Sequence, residues 1–242
     1  MGINMQDYWY SPAYVIYMAQ ELIGIYSQEI IDKDSHNFKQ VGEMKCTAIM
    51  LLALHKAFGH HFFMQASKEE FPDVWTLYQE QVRTDYVDTK YQTVEVVTYF
   101  PNMEIEVADF VLKSKLINPK KAYDEETIIV CYIRKAGTYV DFNQLYQKLS
   151  KHKFKPTRVF VIGNTVRDQN IFMLSQVWPI IHHEAVHFIE RAKSYPLPHR
   201  VFFKKGVTKT IDYSKNRGTL KTNPYEVFNI DEGKVREKYE KT

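Results

Sequence analysis

Two carboxylates carry the first chemical suggestion in this 242-residue chain: Asp73, which follows Pro72, and Glu95, which precedes Val96 and Val97. They belong to segments 74–79 (VWTLYQ) and 93–100 (TVEVVTYF), which are rich in β-branched and aromatic residues and parted by a charged connection, so they read as a hairpin. An Asp beginning one strand and a Glu near the start of its antiparallel partner can face one divalent cation. Hard cations such as Mg²⁺ or Mn²⁺ prefer carboxylate oxygens. One held there would grip a phosphate and lower the pKa of an attacking water. Metal-dependent hydrolysis of a phosphodiester is the reaction such a pair suggests, provided the register of the sheet sets both side chains on one face.

A second motif competes with it. His183-Glu184-Ala185-Val186-His187 spells HExxH within residues 178–193 (WPIIHHEAVHFIERAK), a segment that reads as a helix. Two histidines one helical turn apart can coordinate Zn²⁺, with the Glu as general base of a metallopeptidase. The motif resembles the zincin signature, but Glu190 and Lys193 stand where the metzincin continuation has Gly and His. A third ligand would come from elsewhere, His199 or Glu226 being the nearest. The same segment also reads as an ordinary surface helix, with Ile181, Ala185, Phe188 and Ala192 as its apolar stripe and His183, His187 and Glu190 on another face. His55, His60 and His61 close an earlier helix, where a C-terminal position favours a cationic imidazole and a structural role.

Cations gather in two runs. Lys151, His152, Lys153, Lys155 and Arg158 surround Phe154; Lys204, Lys205, Lys209, Lys215, Arg217 and Lys221 alternate with Phe203 and Tyr213. Cations contact phosphates and aromatics stack on unpaired bases. The charge is lopsided: residues 1–112 hold 7 basic and 16 acidic side chains (−9), whereas residues 113–221 hold 21 and 8 (+13). The net +3 therefore conceals a basic half that would attract a polyanion such as nucleic acid, or else a solvated basic surface.

The elements that must position these residues alternate between helical and strand periods. Ser11-Pro12 is a helix-start signal for residues 11–31, and a second helix spans about 41–58 before Gly59. Residues 62–66 form a short strand ahead of the hairpin. A helix over 104–116, a strand at 127–134 apolar on both faces, a helix at 141–151 and a strand at 158–164 follow. Strands alternating with helices indicate an α/β protein with a mixed central sheet, the 127–134 strand lying beside the hairpin and the 104–116 helix packed on one face. Cys46 and Cys131 sit in apolar runs and read as buried free thiols of a reducing compartment. No apolar run is long enough to span a bilayer and the start is not signal-like, so a cytoplasmic protein without a membrane partner is expected.

With this order of elements, Pro72-Asp73 and Glu95-Val96-Val97 resemble the PD-(D/E)XK nuclease superfamily over roughly residues 41–164. The resemblance implies a restriction-endonuclease-like core at 41–164, an N-terminal helical segment at 1–40, and a C-terminal helix with a basic extension at 165–242. It implies Mg²⁺ or Mn²⁺ held by Asp73 and Glu95, with Glu43 on the first core helix joining the site. The family's lysine, two residues after the Glu, is Val97 here. Lys113 is the expected substitute, with Lys115 on the same helix and Lys135 as further candidates. The implied function is a nuclease; a catalytically inactive nucleic-acid-binding or interaction protein on the same fold is the alternative, and a zinc peptidase the third.

Overall fold

The computed structural model describes residues 9–33, 35–67, 72–83, 86–100, 102–116, 126–134, 137–152, 156–165, 168, 170–195, 200–201 and 217–219. Short strand β1 (Trp9–Tyr10) precedes helices α1 (Pro12–Lys33) and α2 (Ser35–Phe58). Strands β2 (His61–Ala66), β3 (Val74–Arg83) and β4 (Tyr86–Tyr99) form an antiparallel meander. Helix α3 (Val107–Val111) and a π-helical turn (Leu112–Leu116) lead to β5 (Thr127–Ile133), and α4 (Phe142–Lys151) leads to β6 (Arg158–Asn164). Then come β7 (Ile171–Trp178), β8 (His182–His187), α5 (Phe188–Lys193), β9 (Arg200–Val201) and β10 (Arg217–Thr219). All ten strands among the described residues share one sheet, in the order β8-β7-β6-β5-β4-β3-β2-β1-β9, with β10 beside β4. The β4–β5 and β5–β6 pairs are parallel and the rest antiparallel, so the sheet is mixed and the protein α/β.

Local chemistry explains the helix ends. Ser11 Oγ accepts from the Tyr14 amide at 3.2 Å with Pro12 in the first turn, and Asp141 caps α4 by accepting from the Gln144 amide at 2.8 Å. Gly59, at φ 71°, ends α2, its amide returning to the His55 carbonyl at 2.8 Å. The strand period then divides the core in two. From β5, Ile128 and Val130 face α1, α2 and α5, while Ile129, Cys131 and Ile133 face α3, the π-turn and α4. Helix α1 and the strands after Asn164 thus pack into the same sheet and cores as residues 41–164. Both thiols are buried; burial pushes Cys46 up to about 12 and raises Cys131 further, so neither is a ready nucleophile.

The main departure from the sequence reading lies at 171–193. Residues 171–178 form a strand, and 178–187 do not form the helix expected there: a cis Trp178–Pro179 bond leads into β8, which pairs with β7 over six residues. Only Phe188 and Ala192 of the supposed apolar stripe serve in a helix, α5. Val186 is buried by strand alternation instead, while Ile181 and Ala185 are exposed. Among the described residues, no helix is long and apolar enough to cross a membrane.

Candidate functional site

The hairpin register brings the two expected carboxylates together. Val74 pairs with Val94, so Asp73, the residue just before β3, lies beside Glu95 in β4. Asp73 is tied down at both ends: its carbonyl accepts from the Ser67 amide at 3.1 Å, and its Oδ2 accepts from the Val96 amide at 2.8 Å. Glu95 lies in the middle of β4, opposite Ile129 of β5, and is fully buried. A carboxylate in that position needs a cation, because its desolvation is otherwise costly.

Lys115 supplies it. From the π-turn its ammonium donates to Glu95 Oε2 and stands 3.6 Å from Asp73 Oδ2. Lys113, the expected substitute for the family lysine, does not enter the site: it is exposed and its charge acts on Asp109. The spacing of the inward residues explains the difference. Val107, Val111 and Lys115 form one series four residues apart, and Ala108, Leu112 and Leu116 another; all are buried. A helix of 3.6 residues per turn drifts away from such a repeat, whereas the wider π winding keeps Lys115 on the inner face. That i, i+4 series, visible in the sequence, singles out Lys115 over Lys113. Lys135 lies outside the described residues. Val97 packs against the α3-side core and contributes no charge.

Glu43 reaches the same place from α2. Burial and then the charge of Asp73 raise its carboxyl to about 7, partly offset by Lys39 and Lys115. Lys39 stands 3.2 Å from Glu43, one turn earlier on α2. Its ammonium is held above the ordinary lysine value chiefly by Glu43, against burial, with Asp73 and Glu95 adding to the rise. Lys39 was not anticipated from the sequence, although its i, i+4 spacing to Glu43 is the signal for it.

The donor set suits a hard divalent cation in one respect: Glu43 and Asp73 repel each other, and added positive charge would relieve the repulsion. Among the described residues, however, no three His, Cys, Asp or Glu side chains are grouped to hold a metal. The fit is therefore to an ion resting on one or two carboxylates and completing its shell with water and substrate phosphate, the usual habit of Mg²⁺. Asp73 and Glu95 would be the residues to hold it.

A cleft of about 500 Å³ adjoins these groups. It lies where β4 continues beyond Val94, past the start of β3, so that Val96 and Val97, on opposite faces of the sheet, both border it together with Lys39, Glu43 and Lys115. A smaller hollow of about 290 Å³ near the starts of α3 and α4 is bordered by Glu104, Glu106 and Asp141 and shares none of the site residues.

The HExxH residues are dispersed by the strand. Along β8, four residues separate His183 from His187 by about 13 Å, too far for one zinc ion. His183 Nδ1 is 2.8 Å from Ser175 Oγ, His187 Nδ1 accepts from the Glu190 amide, and Glu184 is paired with Lys56 at 2.8 Å. His199 and Glu226 lie outside the described residues, as do Lys153 to Lys155 and the side chains of the basic run from Phe203 to Lys221. His61 belongs to β2 rather than to the end of α2, and its imidazole is held below its ordinary value by burial, His55 and His60. Compared with known proteins, the chain matches no family model, no curated protein and no solved structure.

Proposed function

We propose that this protein is a metal-dependent nuclease of PD-(D/E)XK type, hydrolysing phosphodiester bonds of nucleic acid at Asp73, Glu95 and Lys115. The observation that carries the proposal is Lys115: a lysine reaches both carboxylates from a neighbouring helical turn, although the usual lysine position is Val97. The element order, helix α2, meander β2–β4, α3, β5, α4 and β6, supports a restriction-endonuclease-like core.

When bound at Asp73 and Glu95, Mg²⁺ or Mn²⁺ would polarise the phosphate and acidify an attacking water. Lys115 holds positive charge beside the two carboxylates, where negative charge grows as the phosphate is attacked. Glu43, raised to about 7, takes or returns a proton near neutral pH, the condition for a general acid or base. Arg134, Lys39 and Lys45 around the cleft supply the field that draws a polyanion in.

One observation favours a second reading. The Lys115 ammonium already pairs with Glu95 and stands beside Asp73, as an ion pair kept only for structure would, in a non-catalytic nucleic-acid-binding protein on the same fold. Incubation of single- and double-stranded DNA and RNA with Mn²⁺ separates the two. Cleavage abolished by EDTA and reduced on the order of a hundredfold or more in Asp73→Ala is expected for the enzyme. Salt-sensitive binding without turnover would leave the scaffold.

A further inference from the structure

We propose that the cleft beside Glu43 and Lys115 receives a single unstacked nucleotide, so that the substrate is a single-stranded nucleic acid, with Phe100 and Tyr132 as its apolar wall and Lys39 and Arg134 as its phosphate contacts. The proposal rests on the nuclease reading for the kind of phosphate involved and adds the form of the strand.

Three observations carry it. The first is size and shape: about 500 Å³ lies within the roughly 300–1,000 Å³ of sites that enclose one small ligand, and the cleft is a recess at a fork between strands. A base in a duplex is stacked on both faces and paired, so it cannot enter such a recess; a base in a single strand can.

The second is the wall. Phe100 follows the last residue of β4 and is 37% exposed. The Arg134 guanidinium lies over its ring, 5.4 Å from the centroid. An Arg on one face of an exposed ring makes a platform on which a base can stack while the cation stays near its phosphate. Deeper in the cleft, Tyr132 lies beside Phe172 with ring centroids 6.3 Å apart. Tyr132 and Phe172 lie in β5 and β7 and Phe100 directly follows β4, so the wall is built on and at the end of the sheet.

The third is charge. Among the described residues bordering the cleft, four are cationic, Lys39, Lys45, Lys115 and Arg134, against one carboxylate, Glu43. Lys115 is paired with Glu95 and Asp73 and Lys39 with Glu43, yet cations outnumber carboxylates on the cleft border, and a polyanion complements that excess. Asp73 and Glu95 do not themselves border the cleft, but Lys115 borders it and touches both, so a nucleotide seated there would hold its neighbouring phosphodiester on the side of Lys115 that faces Asp73 and Glu95.

The test is fluorescence anisotropy on the full chain, in EDTA, with a labelled short oligothymidylate strand and with the same strand paired to oligoadenylate. The wild type is compared with Phe100→Ala and Phe100→Trp. The single strand is expected to bind at least about tenfold tighter than the duplex; Phe100→Ala should lose about tenfold for the strand alone, and Phe100→Trp should retain the affinity. Equal or tighter duplex binding, an equal loss of both ligands in Phe100→Ala, or no binding of either would overturn the proposal. Cleavage with Mn²⁺ keeps the two ideas apart. Duplex cleavage without strand preference sinks the cleft and spares the nuclease, whereas strand-selective binding with no cleavage spares the cleft and sinks the hydrolysis.

Discussion

Asp73, Glu95, Lys115 and Glu43 each come from a different element, and each is held there by an ordinary structural constraint. Asp73 is anchored to the Ser67 and Val96 amides, Glu95 is fixed by the β4–β5 ladder, and Lys115 is turned inward by its i, i+4 series. The types of the first two residues were legible in the sequence. Their meeting was not, because it depends on the pairing of Val74 with Val94 across the hairpin. Lys113 stays away from the two carboxylates for a physical reason: it falls outside the buried series that contains Lys115. Glu43 yields a prediction whose sign is fixed by linkage. Its folded carboxyl, at about 7, lies above the ordinary value of about 4.3, so the native state binds the proton more tightly than the unfolded chain does. The contribution of Glu43 to stability is therefore fully present below about pH 4 and is lost as pH rises through about 7. Glu43→Gln should raise the melting temperature at pH 8, where the pair with the exposed Lys39 offsets little of the cost of burying the charge, and leave it nearly unchanged at pH 4, where Glu43 is protonated and neutral like Gln. A fall at pH 8 would show that Glu43 is instead a stabilising anion.

Strands apolar on both faces announced themselves, since β5 and β6 carry continuous apolar runs that neither an exposed loop nor a half-exposed strand would need. The 178–193 segment misled because two periods coexist in it. Ile181, Ala185, Phe188 and Ala192 fit a helix, while Glu184 and Val186 against His183, Ala185 and His187 fit a strand. Pairing with β7, itself unrecognised in the sequence, decides for the strand. The consequence is measurable. His183→Ala and His187→Ala should leave metal content unchanged, and the purified protein should hold less than one zinc per chain by elemental analysis. Stoichiometric zinc lost in both variants would restore the peptidase reading and contradict the β8 assignment.

Across the molecule, the alternation of helices and strands was readable as an α/β fold, but the extent of the sheet was not. The pairing of β1 with β2 and β9, and the addition of β7 and β8 at the other side, are long-range contacts with no local sequence signature. The charge imbalance between residues 1–112 and 113–221 is a whole-chain property and predicts strong salt dependence. The logarithm of the single-strand association constant should fall linearly with the logarithm of salt concentration, with a slope of about −0.7 for each phosphate neutralised. Salt-independent binding would mean that the cations of the basic half do not touch the ligand.

The most direct measurement is the rate of nucleic-acid cleavage with Mn²⁺ in Lys115→Met, Lys113→Met and the double variant Lys115→Met/Val97→Lys, each shown to be folded by thermal melting. Lys115→Met should lose on the order of a hundredfold or more. Lys113→Met should keep the wild-type rate, and a lysine at position 97 should restore part of what Lys115→Met loses. Undiminished cleavage in folded Lys115→Met, or a loss confined to Lys113→Met, would contradict the assignment of Lys115 as the lysine of the site.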